Sequence, residues 1–447
     1  METNVNEYKD VFGEKLSPVK TVVMGLQHVL TMCPGSLALI IILGTALNLD
    51  AKTIGYLVSA NLLTSGIAIL IQVYGLGSKI GSKLPLILGS SYAPLGAMIA
   101  IGKAYDAQVL FGAIIGSAVV LIALSFVLDK ILKLFPPVVV GSFVTLIGIS
   151  LAHVSMENMA GGAGASDFGN PRYLLLGCFV AAVVVLVGRF GGKIFHSLSL
   201  LAGMTLGTAV AWAMGIVDVT PVMEADWFRI VIPFKLGLPE FKLVPIVVMT
   251  VFCLVNLIQC IGVFSVLDEV AGCETCEQDK IKGLRGQAVA QAISGIFCSV
   301  PGAMFAENVG LMNLTGAKGK GVIKSAGFIL ILLGIIPKFS SVITVIPKPV
   351  LGGATLVLFG IITASGISIL TKLKFTEDNN STIVGTSMIL GVAATFVSEM
   401  FPTLPPTAKM LFGSPLFVVS ISAIMLNLIL NINTGLVRVK LKSEQGA

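Results

Sequence analysis

The chain has 447 residues, 55% of them hydrophobic and 12% charged, with a mean hydropathy of +0.97. That is too apolar and too poor in charge for a soluble domain and implies a polytopic membrane protein. The formal net charge of +6 is explained by an uneven spread of Lys and Arg between loops, so it calls for no nucleic-acid partner.

In chain order, residues 1–18 lack the basic-then-apolar order of a cleavable signal peptide, so insertion is expected to start at the first apolar segment. About fourteen segments have the length of a membrane helix, near 21–47, 53–75, 84–102, 108–128, 137–155, 173–190, 194–216, 243–267, 286–300, 301–316, 321–346, 350–371, 381–401 and 411–433. An even number of spans puts both termini on one side. With the termini inside, the inner loops hold Lys79, Lys83, Lys130, Lys133 and the clusters at 280–285 and 318–324. Of the 29 Lys and Arg residues, only Lys52, Lys103, Arg172, Arg229, Lys235, Lys242, Lys338, Lys348 and Lys409 fall on the other face. Both termini are therefore expected to be cytoplasmic.

The two halves echo one another. LFPPVVVGSFVTLIGI at 134–149 returns in outline as VIPKPVLGGATLVLFGII at 345–362, and GSSYAPLGAM at 89–98 corresponds to GAMFAENVGLM at 302–312. Seven spans per half is an odd number, so the halves must be oppositely oriented, the inverted repeat of secondary transporters. The expected fold is all-α: about 14 transmembrane helices in two inverted 7-helix repeats. Residues 1–18 form a cytoplasmic tail, 19–216 the first repeat, 217–242 an extracellular linker, 243–434 the second repeat and 435–447 a cytoplasmic tail.

Spans 3 and 10 are expected to be discontinuous, broken at Gly89, Ser90, Ser91 and Pro94 and at Pro301, Gly302 and Gly310. Non-helical backbone at membrane depth is tolerated only where protein or an aqueous cavity satisfies it. Two such breaks at the midplane make a ligand site, with half-helix N-termini supplying N–H groups and positive dipole ends. Glu307 and Asn308 lie in the second break, and an ionisable group at that depth is a functional-site candidate.

These residues resemble the nucleobase-ascorbate transporters, the nucleobase:cation symporters that include bacterial xanthine, urate and uracil permeases. ENVGLMNLTG at 307–316 is similar to the family signature, and Gln27-His28, GSSYA, LFPPVVVG, GIFCSVPG, LLGIIPKF and IPKPVLGGATLVLFG extend the likeness over the whole chain. The resemblance implies fourteen spans arranged as core and gate domains, a homodimer, and carriage of a nucleobase with a proton or another cation. It implies no cofactor, no metal and no enzymatic activity. Carried over by position, Glu307 hydrogen-bonds the base and Asn308 supports it. Phe305 with Ala306, and Tyr92 with Ala93, fall on the unwound segments that contact ligand, and Gln27 and His28 form the polar pair of the first span. A carboxylate or amide suits the donor and acceptor edge of a nucleobase, and an aromatic ring suits its face.

The chain departs from the family where Gln259 and Gln287 replace acids. Gln259 can still bond a base edge but cannot take a proton. Coupling therefore falls to Glu307 or His28, and uniport stays open beside proton symport. His28 can equally be a core group bonded to its neighbours. The likeness to xanthine and urate permeases favours a purine, while the acid in the signature leans towards uracil.

Other motifs carry less. Cys273-x-x-Cys276 has no second pair to complete a zinc site, and the charged stretch LDEVAGCETCEQDKIKGLR reads as an inner loop. An anion transporter of the same general fold is the rival class; a membrane enzyme lacks a readable nucleophile, nucleotide loop or metal cluster.

Overall fold

The computed structural model describes residues 12–14, 16–127, 135–162, 164–165, 167–375 and 379–444. Lys130 and Lys133, placed on the inner face by the sequence, lie outside them, as do most of the N-terminal tail and the last residues of the C-terminal one.

Helix α1 (Pro18–Ala46) begins with Pro18 in its first turn and with Ser17 accepting from the Lys20 amide at 3.4 Å, a favourable N-terminus. After α2 (Ala51–Tyr74) the chain runs without helix to a short strand, β1 (Leu88–Ser90), and then to α3 (Leu95–Ala104). Helix α4 (Ala107–Leu124) is capped by Asp106, whose side chain accepts from the Val109 amide at 2.9 Å. Helices α5 (Pro137–Met159) and α6 (Pro171–Phe190) follow, then α7 (Gly192–Ser197), α8 (Ser199–Ala213) and α9 (Thr220–Glu224). The second half holds α10 (Leu243–Ala271), α11 (Glu277–Ile296), strand β2 (Gly302–Met304), α12 (Ala306–Thr315), α13 (Lys320–Gly334), α14 (Pro337–Thr344) and α15 (Lys348–Thr371). It closes with α16 (Asn380–Ala394), α17 (Val397–Met400), α18 (Pro406–Phe412) and α19 (Pro415–Glu444).

Among the described residues seven helices are long and apolar enough to cross a membrane, or eight if the α13–α14 pair is one span. The protein is mostly helical, as expected, but not all-α. The two unwound segments form an antiparallel two-stranded sheet, because unpaired amides at that depth find partners in each other. The expected span 321–346 bends by 82° between α13 and α14, where Pro337 opens the second helix and cannot donate into the first. The charged stretch expected to be a loop is largely helical. It reduces to residues 272–276, and Glu277 and Asp279 then occupy the first turn of α11, where carboxylates complement the helix dipole.

The chain divides into two compact units that do not follow its halves: residues 1–126 with 153–358, and residues 127–152 with 359–447. In the first, α2 packs along α13 and α1, and α4 along α10 and α11. In the second, α16 packs against α19, and a Cβ on Gly391 would meet Leu146 Cδ2 at 2.3 Å. Small residues set such contacts in membranes, where close packing replaces the hydrophobic drive between helices. At Gly66 on α2 a Cβ would lie 2.6 Å from the Gly327 carbonyl oxygen and 3.0 Å from the Ile331 amide of α13. Gly66→Ala is expected to cost about 1–3 kcal/mol by forcing the two helices apart. The check is the midpoint of thermal unfolding in detergent, and an unchanged midpoint would refute this contact.

Candidate functional site

The site starts from the two unwound segments. In β1 and β2, Leu88 pairs with Met304, Gly89 with Ala303 and Ser90 with Gly302. The ladder continues on both sides: the Phe305 amide donates to Ile87 O at 3.0 Å, and the Ser91 amide to Pro301 O at 2.9 Å. Each strand runs into a ten-residue helix, α3 or α12, whose N-cap residue, Pro94 or Phe305, supplies no side-chain cap. The two half-helix starts are thus tied together by backbone bonds. Gly89 makes room for this, since a Cβ there would lie 2.7 Å from the Phe305 ring.

A buried polar cluster holds the crossing in place. Asn61 on α2 donates through Nδ2 to Ser36 Oγ on α1 at 3.0 Å, and its Oδ1 accepts from Ser90 Oγ at 2.9 Å and from Ser299 Oγ at 3.4 Å. The Ser90 amide donates to Ser36 Oγ at 2.9 Å, and Thr64 Oγ1 to Ser299 Oγ at 3.0 Å. All five residues are buried. On the other side Asn256 of α10 bridges both segments, accepting from Ser91 Oγ at 2.8 Å and donating to Gly302 O at 2.8 Å. Gln287 of α11 donates to the same carbonyl at 3.0 Å.

The expected site residues group around this frame. Asn308 is fully buried on α12, and its Nδ2 reaches both His28 O at 3.0 Å and His28 Nδ1 at 3.1 Å on α1. An amide N–H donating to Nδ1 requires that ring nitrogen to be unprotonated, which leaves the hydrogen on Nε2. Among the described residues of α10, α11 and α12, three buried side-chain atoms have no hydrogen-bond partner: Gln259 Nε2, Gln287 Oε1 and Asn308 Oδ1. Glu307, in the first turn of α12, has an exposed side chain next to the fully buried Asn308. Among the described residues no cation pairs with it.

The remaining expectations place less evenly. Phe305 and Ala306 are half-buried beside Glu307. Tyr92 and Ala93 are buried, and the Tyr92 hydroxyl donates to Gly35 O at 2.6 Å, so that hydroxyl braces α1. Gln27 is half-buried one residue before His28, and its carbonyl accepts from Thr31 at 3.0 Å. Sequence reasoning passed over Asn61, Ser36, Ser299 and Asn256. The signal was present: an asparagine inside each of two charge-free spans, at a depth where an unpaired amide is costly.

Residues 19–400 match the profile of a Permease family, that of the xanthine/uracil permeases. The chain is 38% identical to a xanthine permease of Bacillus subtilis over 92% of its own length and 94% of the relative's. It is 36% identical to the uric acid permease PucK of the same organism, over 93% and 96%, and 36% identical to the uric acid transporter UacT of Escherichia coli, over 93% and 87%. Among solved structures it resembles the transmembrane domain of the cyanobacterial bicarbonate transporter BicA, with a TM-score of 0.56 at 16% identity over 92% of this chain and 96% of that one. SLC26A9 gives a TM-score of 0.61 at 12% identity, over 92% and 66%. At such identities these two likenesses concern the fold alone. The profile match over most of the chain and relatives above 30% identity along nearly their whole length place this chain in the xanthine/uracil permease family of membrane transporters.

Proposed function

We propose that the protein is a secondary active transporter that imports a nucleobase, most readily a purine such as xanthine or urate, by proton symport. The observation that carries this reading is that Gln259, Gln287 and Asn308 each keep a buried polar atom without a partner while Glu307, next to Asn308, is accessible at a half-helix start. A buried polar atom without a partner costs roughly 1–3 kcal/mol, a cost that a ligand edge rich in C=O and N–H groups removes on binding. In this reading Glu307 and Gln259 bond the base, Phe305 covers its face, and the backbone of Ala306, Tyr92 and Ala93 lines the site. The names of the xanthine and uric acid relatives support the purine; uracil is the rival base.

The finer architecture belongs to the same proposal. Residues 19–216 and 243–434 are two inverted seven-helix repeats joined by an extracellular linker, 217–242, and both termini are cytoplasmic. The pairing of one short strand and half-helix from each half supports the inversion. The working form is a homodimer.

A uniporter is the second reading, favoured by one specific arrangement. Gln259 and Gln287 cannot carry a proton, and Asn308 donates to the ring nitrogen of His28 that would have to accept one. Glu307 is then the group on which symport depends.

Uptake of radiolabelled xanthine, urate and uracil into cells, with and without a proton gradient, tests the assignment; transport of none of them would overturn it. Glu307→Gln is expected to abolish uptake or, where uptake persists, its pH dependence; retention of both removes Glu307 from its role. Gln259→Glu is expected to change the competition order of purines and uracil by about tenfold or more, the effect of one remade charged hydrogen bond. Asn308→Ala removes the side-chain hydrogen bonds to the His28 carbonyl and ring nitrogen. A loss of about 1–3 kcal/mol should appear as a lower unfolding midpoint in detergent.

A further inference from the structure

The first compact unit contains a cavity of about 390 Å³ that the site above does not use. Its wall joins the first turn of α2, through Lys52 and Tyr56, to the segment after α9, through Arg229, Ile232 and Lys235. The segment is anchored by backbone and side chain. Tyr56 Oη donates to Ile232 O at 2.6 Å, the Arg229 amide to Ile335 O at 3.1 Å and the Phe234 amide to Ile296 O at 2.8 Å. Three cationic side chains face the cavity and no carboxylate lines it. Asp226 pairs with Arg229 at 2.9 Å, while Lys52 and Lys235 make no ion pair with a described residue. Asp50, the N-cap of α2, bonds Thr53 of the wall and offsets the dipole at that helix end, so the positive character of the cavity comes from Lys52 and Lys235. Isoleucine and tyrosine walls beneath these charges suit the face of a flat ring rather than a small hydrated ion.

The position along the chain is equally telling. Asn61 holds the strand crossing through Ser90 and lies five residues beyond Tyr56 on α2, a rise of about 7.5 Å. Phe234 is bonded to the end of α11, just before Ser299, which also bonds Asn61. The cavity therefore stands little more than a helical turn from the crossing, on the face that the uneven spread of Lys and Arg makes extracellular.

We propose that this cavity is an entry vestibule that captures its passenger as an organic anion, an oxo-purine in its deprotonated form such as urate, before it reaches the strand crossing. The inference rests on the nucleobase-carrier reading and adds to it a charge preference on the outer face. Clefts lined by one sign of charge raise the local concentration of an opposite charge and lose that effect in salt.

The test compares the wild type with Lys52→Gln/Lys235→Gln and with the charge-keeping pair Lys52→Arg/Lys235→Arg, all at equal surface expression. For urate uptake at low ionic strength the glutamine pair is expected to raise KM by about 3–10-fold, with an unchanged maximal rate and a flattened salt dependence. The arginine pair is expected to behave as the wild type. An unchanged KM in the glutamine pair, or equal damage in the arginine pair, overturns the vestibule. If the wild type moves no nucleobase, the carrier reading fails separately, and binding of radiolabelled urate to the purified chain judges the cavity. Binding that weakens in salt and in the glutamine pair supports it; equal or absent binding overturns it.

Discussion

The structure depends on one short piece of backbone pairing. Two segments that break their helices meet as β1 and β2, and five successive positions on each, from Ile87–Ser91 and Pro301–Phe305, face one another in a ladder. Inside a membrane, amides and carbonyls outside helices must be satisfied by protein or by trapped water. Pairing them with one another satisfies both breaks together. Everything nearby then follows as support: the half-helices start where the ladder ends, and the side chains that flank it come from α1, α2, α10 and α11.

The supporting amides fall into two kinds, and the difference separates scaffold from ligand-facing groups. Asn61 and Asn256 use both oxygen and nitrogen on protein partners, and a saturated buried network rigidifies its surroundings. Gln287 and Asn308 use their nitrogens and leave their oxygens open, while the buried nitrogen of Gln259 is open. Polar atoms left open in a low-dielectric interior are costly, and a ligand edge would complete them. That contrast, more than the position of any one residue, supports a site for a hydrogen-bonding passenger.

Much of this was legible in the residues. The breaks at 89–94 and 301–302 could be read because Gly and Pro interrupt apolar runs, and the costly charge of Glu307 marked the second of them. The family was readable from ENVGLMNLTG and its companions. What could not be read was which groups satisfy the broken backbone. Helix periodicity carries no information about the pairing of Leu88–Ser90 with Gly302–Met304, so the sheet was missed and an all-helical fold expected. Asn61 and Asn256 were overlooked because charge, not hydrogen bonding, was used to mark exceptions within apolar spans. The charged stretch at 267–285 looked like a loop because its polarity is high; Glu277 and Asp279 within it instead complement the start of α11. The bend between α13 and α14 was signalled by Pro337, yet the run of apolar residues on both sides hid it.

The contact between Gly89 and Phe305 ties the two halves of the gene product together in a further sense. The hydrogen of one half leaves the room that the ring of the other half fills. Neither position can drift alone: a larger residue at 89 demands a smaller or displaced one at 305. In related sequences this pair should change jointly or stay fixed, and those two columns would carry the record of the constraint that keeps the two strands in register.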